Sequence, residues 1–415
     1  MKQRILSKFQ YFHNLKVVAT LLVVAGFSLR FTLPVYSAEI APYYSFGLAQ
    51  GMSFQPGYQS FTVNLTNDIG LIVKPAEKHH VLGFYEIKYL GPGLRTQEGD
   101  RFTDRYMDHL YVLKHKWEFM ESLIFQSQID YMKEHRRSGA NEAWGLGLYD
   151  YERTGGLVGV DKDFEKFKAG GNFQYHYLKF PNYTDLLTEI SAGGTEAESS
   201  ANKQNQYLYQ LHGQLDYREN TFSLDFTWQN YEKQKVVVDA VQPDGSYYSG
   251  TLQKDFSTSI SIERIQKIGG GILIIPGLKY TIKNSNQNYQ HFTAAGDTVP
   301  AKYLPDYYSY SQTVLDLPIT LALSKKWDFV FTPTFDIKSY SVRDIRNENG
   351  DFVTGTKQSN NLTLITISFN KKTTDVSTTS LFLTQQTQSS NMKYEKYTPY
   401  NYSGQFVGLQ YTISY

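Results

Sequence analysis

The last nine residues, Val407–Tyr415, read V-G-L-Q-Y-T-I-S-Y. Val407, Leu409, Tyr411, Ile413 and Tyr415 fall on one side of an extended chain, and Gly408, Gln410, Thr412 and Ser414 fall on the other. Such a strand, apolar on one face and small or polar on the other, suits a wall with lipid on one side and water on the other. An amphipathic strand of a soluble sandwich alternates in the same way. The decision therefore rests on strand length and on how the strands are joined.

The same alternation recurs along the chain. From Gln59 to Val73, Phe61, Val63, Leu65, Ile69, Leu71 and Val73 share one face, and Ser60, Thr62, Asn64, Thr66 and Asp68 share the other. Tyr207, Tyr209, Leu211, Leu215 and Tyr217 alternate with Gln210, His212, Gln214 and Asp216. Phe222, Leu224, Phe226 and Trp228 alternate with Ser223, Asp225, Thr227 and Gln229. Further runs start at Phe256, Leu315 and Trp327. These strands run to about 12–16 residues, against the five or six usual in soluble domains, whereas crossing a bilayer takes about 9–11.

Short connections fall near 76–79, 117–120, 170–171, 218–220, 266–270, 324–326 and 370–375. Longer polar ones fall near 91–103, 136–156, 181–205, 237–251, 285–306, 343–357 and 389–401. Short turns alternating with long loops are the pattern of a membrane barrel with tight periplasmic turns and extended outer loops. Seven short turns pair fourteen strands, the C-terminal strand adds one, and an even count then requires one more, for which Tyr43–Gln50 is the only stretch. The expectation is an all-β, transmembrane, antiparallel up-and-down β-barrel of about 16 strands with both termini periplasmic. Fourteen strands is the alternative if Glu39–Gly57 is an inward-folded plug.

The other end of the chain agrees. Lys2, Arg4, Lys8 and Lys16 precede an apolar run, Val17–Phe27, whose 11 residues are too few to span a bilayer but fit the core of a secretory signal. Val35 and Ser37 suit a cleavage site, so residues 1–37 are expected to be a signal peptide and 38–415 the barrel. The chain has no cysteine, which excludes disulfides and thiolate metal sites. Removing the five basic residues of the leader (with Arg30) from 41 leaves 36 against 40 acidic ones, a balance of −4 that argues against a nucleic-acid partner. Aromatic residues reach 15%, with 34 Tyr, and favour a membrane–water boundary.

The terminal strand, with Tyr411, Ile413 and the final aromatic Tyr415, resembles the assembly signal of Gram-negative outer-membrane β-barrels. The short-turn, long-loop pattern over the rest of the chain is similar to that of porins. The resemblance implies an outer-membrane location with lipid and lipopolysaccharide around the wall. It also implies recognition of the last strand by the barrel-assembly machinery, small solutes as cargo, and a homotrimer. In sixteen-stranded porins the third outer loop narrows the lumen. Here that loop is 136–156, with Arg136, Arg137, Glu142, Asp150, Glu152 and Arg153 as the expected constriction. Glu86, Lys88, His212, Asp225, Glu263, Lys279, Asp328, Asp336 and Lys338 are the expected lumen lining, and selectivity would follow from such charges at the narrowest point.

Catalytic chemistry has little support in the sequence. Barrel esterases and phospholipases often carry His-X-Ser, and none of the histidines at 79, 80, 109, 115, 135, 176, 212 and 291 is followed two positions later by Ser. His212 and Asp216 share a face but lie about 13 Å apart along one strand, too far to pair. No glycine-rich phosphate loop opens a helix, so no cofactor is expected. The expected function is passive diffusion of small hydrophilic solutes. The alternatives are a barrel enzyme acting on lipids, a surface adhesion barrel, or uptake of hydrophobic substrates past an N-terminal plug.

Overall fold

Among the described residues each barrel strand finds its hydrogen-bonding partner in the next barrel strand along the sequence, and the last finds it in the first. The computed structural model describes residues 39–55, 57–93, 103–138, 142–183, 203–243, 245–291, 301–395 and 399–415. The expected signal peptide, 1–37, lies outside the described residues. The first nine strands are β1 (Glu39–Gln55), β2 (Tyr58–Ala76), β3 (His79–Leu90), β4 (Arg105–Met120), β5 (Leu123–Arg137), β6 (Tyr151–Phe164), β7 (Phe167–Lys179), β8 (Gln206–Tyr217) and β9 (Asn220–Val237). Three barrel strands then follow, each in two pieces: β10 (Tyr248–Arg264) with β11 (Gln266–Ile268), β12 (Ile272–Ile274) with β13 (Gly277–Ser285), and β16 (Tyr310–Asp316) with β17 (Ile319–Ala322). The small hairpin β14 (Tyr289–His291) and β15 (Lys302–Leu304) sits in the loop between the last two. β18 (Trp327–Arg346), β19 (Phe352–Thr374), β20 (Ser377–Ser390) and β21 (Tyr402–Ser414) complete the circuit. The result is a closed sixteen-stranded antiparallel barrel.

Closure is made by β1 against β21, in register from Ser45↔Ser414 to Phe54↔Gln405. Tyr44 and Tyr415 exchange backbone hydrogen bonds in both directions at 3.0 Å. The segment 39–55 is thus the first barrel strand and not a plug, which settles the count at sixteen. The breaks in three adjacent strands have a shared cause. Pro276 and Pro318 sit in the gaps, Pro333 lies on the neighbouring β18, and proline gives no N–H to a ladder. Their carbonyls still accept, from Arg264, Ile275 and Leu317 respectively, so the sheet continues across the gaps.

One expected turn is displaced. Gly170 and Gly171 lie inside β7, and the chain reverses at Glu165–Lys166, where the Phe164 and Phe167 rings stack at 4.5 Å. A Cβ at Gly170 would collide with the Asp161 carboxylate on the opposite strand, so the glycine makes room for a side chain instead of bending the backbone. Two long loops are also shorter than expected, because the flanking strands extend further. The third runs only from 138 to 150, and the one expected at 343–357 only from 347 to 351.

The register sorts side chains onto two faces. The outer face carries exposed Leu409 (59%), Ile129 (64%), Phe61, Val158, Phe173 and Ile260. The inner face buries Thr62 (2%), Gln358 (1%), Asp130, Asp255, Asn360 and Gln386. A water-soluble protein does the reverse, and so large an apolar belt is stable only against lipid. Gly51 and Gly408 face each other across the closing seam. A Cβ at Gly51 would run into the Val407 carbonyl and lie 2.8 Å from Gly408 Cα, whereas one at Gly213 meets nothing within 4 Å. Gly51→Val is therefore expected to destabilise the barrel by about 1–3 kcal/mol. Gly213→Val is expected to leave it unchanged. Urea midpoints in detergent, read by the mobility difference between heated and unheated samples, check the pair.

Candidate functional site: the interior wall

The interior surface follows from the alternation. Starting at His212 on β8, the directly opposed inward residues run through Asp225 on β9, Ser259 on β10, Thr281 on β13, Gln312 on β16, Lys338 on β18 and Asn360 on β19. The same parity puts Glu86, Lys88, Glu263, Lys279, Asp328 and Asp336 on this face. All nine residues expected to line the lumen are thus inward-facing.

Six consecutive barrel strands, β7 to β10, β13 and β16, line a half-open cavity of about 600 Å³ along this wall. Its lining includes Asn172, Gln174, Gln210, His212, Asp225, Ser257, Ser259, Lys279, Thr281, Tyr310 and Gln312. His212 Nδ1 lies 2.6 Å from Asp225 Oδ1, a pairing across strands that replaces the rejected one with Asp216. Asp216 instead accepts from Gln214 and Thr221. Ser259 and Thr281 hydroxyls meet at 2.8 Å, and Gln312 Nε2 donates to both Asp336 oxygens at 2.8 and 2.9 Å. Lys283 pairs with buried Asp255 at 2.8 Å. The order His212–Asp225–Ser259 across the sheet puts the carboxylate between imidazole and hydroxyl, so Ser259 lies two strand spacings, about 10 Å, from the base it would need. Among the described residues no three His, Asp or Glu side chains converge as a metal ion would require.

A second polar cluster sits on β5 to β7. Buried Asp130 accepts from the Arg153 guanidinium at 3.1 Å and lies 3.2 Å from His176 Nε2. Asp130 and His176 are brought together by register across β5, β6 and β7, which no local motif marks. The alternation of Phe125, Ile129 and Tyr131 on the outer face would have placed Asp130 inward.

The six residues expected at a constriction separate. Arg136 and Arg137 end β5, and Glu152 and Arg153 open β6; only Glu142 and Asp150 remain in the loop. Arg136 points inward and pairs with Asp104, while Glu152 faces outward and pairs with Lys133 at 3.6 Å. Asp150 caps the loop, accepting from the Arg136 and Gly147 backbone N–H groups at 2.7 and 3.2 Å, with His135 Nδ1 at 3.3 Å. Trp144 packs on Tyr89 and under the Arg137 guanidinium, both on the outward side of their strands. Glu142 accepts from the Ser138 N–H at 2.6 Å. The described part of the loop rides on the rim of the wall.

At the long-loop end, Arg343 lies 4.0 Å from the Tyr307 ring centre and 3.8 Å from that of Tyr340. Below it Lys338 sits 4.0 Å over Tyr310, so cations and tyrosines form a ladder from the mouth into the cavity. At the rim, Asp344 accepts from Lys302 and Lys357, each at 2.7 Å.

No protein-family model matches the sequence, and no curated protein is similar to it at significance. Solved structures do match in architecture. A loop-deletion mutant of OmpT, an outer membrane protein of Vibrio cholerae, matches 91% of this chain and 99% of its own at 10% identity and TM-score 0.47. A bacterial polysaccharide outer membrane secretin covers 90% and 98% at 8% identity and TM-score 0.44. A mutant of the ferric enterobactin receptor PfeA of Pseudomonas aeruginosa covers 90% and 80% at 10% identity and TM-score 0.44. The chain falls in the class of closed antiparallel β-barrels, and its function has to be argued from its own interior.

Asp344 is the eighteenth residue of β18, beyond the 9–11 that cross a bilayer. Burial alone would raise its pKa, but the two lysine hydrogen bonds outweigh it and hold the carboxyl below the usual aspartate range. A depressed carboxylate stabilises the fold above its unfolded pKa, about 3.9, and loses that contribution as pH falls through the folded value. Proteolysis of the β14–β15 loop is expected to rise below about pH 4 in the native protein. In Asp344→Asn it is expected to be raised already at pH 7.

Proposed function

We propose that this chain is an outer-membrane channel through which small hydrophilic solutes diffuse passively. Its short turns and both termini would lie on the periplasmic side, residues 1–37 would direct export, and the last strand would be read by the barrel-assembly machinery. One observation carries the reading. Lys279, Gln214 and Glu263 point to the inside of the barrel and are nevertheless exposed. Side chains locked in a packed polar core would be buried; exposed ones need water around them, and sixteen strands leave room for an aqueous channel. Exposed apolar side chains outside and exposed charged ones inside are the two surfaces that such a channel requires.

Purified protein in a planar lipid bilayer is expected to give stepwise conductance, and its absence at every voltage would remove the pore. Lys279 has no ion-pair partner among the described residues. Lys279→Glu is therefore expected to shift the zero-current potential in a potassium chloride gradient toward cation preference, with conductance retained. An unchanged potential would place Lys279 away from the permeation path.

A further inference from the structure

Resting on the channel reading, we propose that the cavity on β7–β10, β13 and β16 is a binding subsite for a neutral saccharide of one or two rings. At about 600 Å³ it falls in the range of roughly 300–1,000 Å³ typical of small-molecule sites. The chemistry of the lining selects among ligands. Val314 is its only aliphatic residue and Tyr310 its only benzene ring, so an apolar ligand gains little there. Asp225 is hydrogen-bonded to His212, and Lys279 stands two barrel strands away on β13, so the lining gives no convergent set for an ion. What remains is a surface of amides and hydroxyls. A sugar hydroxyl donates and accepts at once and meets such a surface at either kind of atom.

The groups are also held in place before a ligand arrives. Gln174 Nε2 donates to Asn172 Oδ1 at 3.0 Å, which leaves the Asn172 N–H groups and the Gln174 carbonyl turned to other partners. Gln312 is fixed through its nitrogen by Asp336, which frees its carbonyl oxygen as an acceptor. With Nδ1 of His212 on Asp225 Oδ1, Asp225 Oδ2 and His212 Nε2 stay available. Side chains already ordered by one another lose little further freedom on binding. The ladder of Arg343, Tyr340, Lys338 and Tyr310 joins this subsite to the mouth at the long-loop end.

The test uses the full chain, with glucose and maltose as probes and polyethylene glycol of matched size as the comparison. In single channels the saccharides are expected to reduce the ion current saturably and the glycol only in proportion to its volume. His212→Ala and Gln312→Ala are each expected to raise the half-blocking concentration about five- to tenfold while conductance and heat-dependent gel mobility persist. Conductance with equal block by glycol and sugar, or block unaltered in both variants, overturns the subsite and leaves the channel standing. Calorimetric titration of maltose into detergent-solubilised protein reads the subsite without conductance. Binding that both variants weaken supports the subsite even in a closed barrel, and no binding to the native protein overturns it.

Discussion

The ladder between β1 and β21 is the constraint on which the rest of this molecule depends. In hydrocarbon an unpaired N–H or C=O costs several kcal/mol, so an open sheet of this size would expose two ruinous edges. Joining Ser45–Phe54 to Gln405–Ser414 removes both at once. The seam is narrow where Gly51 meets Gly408, and the Phe382 ring closes over the inner side of Gly408, 3.0 Å from where a Cβ would stand. The stability of each hairpin is therefore conditional on the closing pairing, which is the longest in sequence separation. The C-terminal strand, with Tyr411 and Ile413 on its outer face, supplies one side of that closing ladder.

Once the cylinder is closed, the period of two in the strand fixes everything about its surfaces. No residue can change sides without a bulge, so each buried polar group of the inner face must find its partner along its own strand or on a neighbouring one. The wall of β19–β21 shows how this is met without charge. Gln358 donates to Asn360, Ser390 donates to the same Asn360 oxygen at 2.7 Å, and Tyr402 links Gln386 to Gln388. Opposite them, β5–β7 use Asp130, Arg153 and His176 for the same purpose.

What was legible in the sequence was what periodicity encodes. The outward faces of β2, β8, β9, β10 and β18, the sixteen-strand count and the inward placement of residues such as His212 and Lys279 all follow from counting by twos. What was not legible depended on which residues meet across strands. The partner of His212 is Asp225, thirteen residues away, rather than Asp216 on its own strand, because register and not sequence distance brings inward groups together. Gly170–Gly171 looked like a turn because glycine marks both turns and close approaches, and only the opposing Asp161 distinguishes them. The expected constriction lost Arg136, Arg137, Glu152 and Arg153 to strands that run past the bilayer, where hydrophobic alternation fades but backbone pairing does not.

The pairing also separates structural charges from those free to act. A buried carboxylate must be matched or it destabilises the wall, and Asp104, Asp130, Asp255 and Asp344 each have a basic partner at the wall or its rim. Those groups hold strands together, and their charges are largely cancelled at the distance of a passing solute. Lys279 and Glu263 are different: both face inward, both are exposed, and neither has a partner at ion-pair distance among the described residues. Charge that is not spent on the wall is what a solute in the lumen can feel. The functional surface is thus the remainder left after the barrel has satisfied itself, and along β7–β10, β13 and β16 that remainder is rich in neutral hydrogen-bonding groups. In the proposed channel, a lining of that kind would favour solutes that carry many hydroxyls over those that carry net charge.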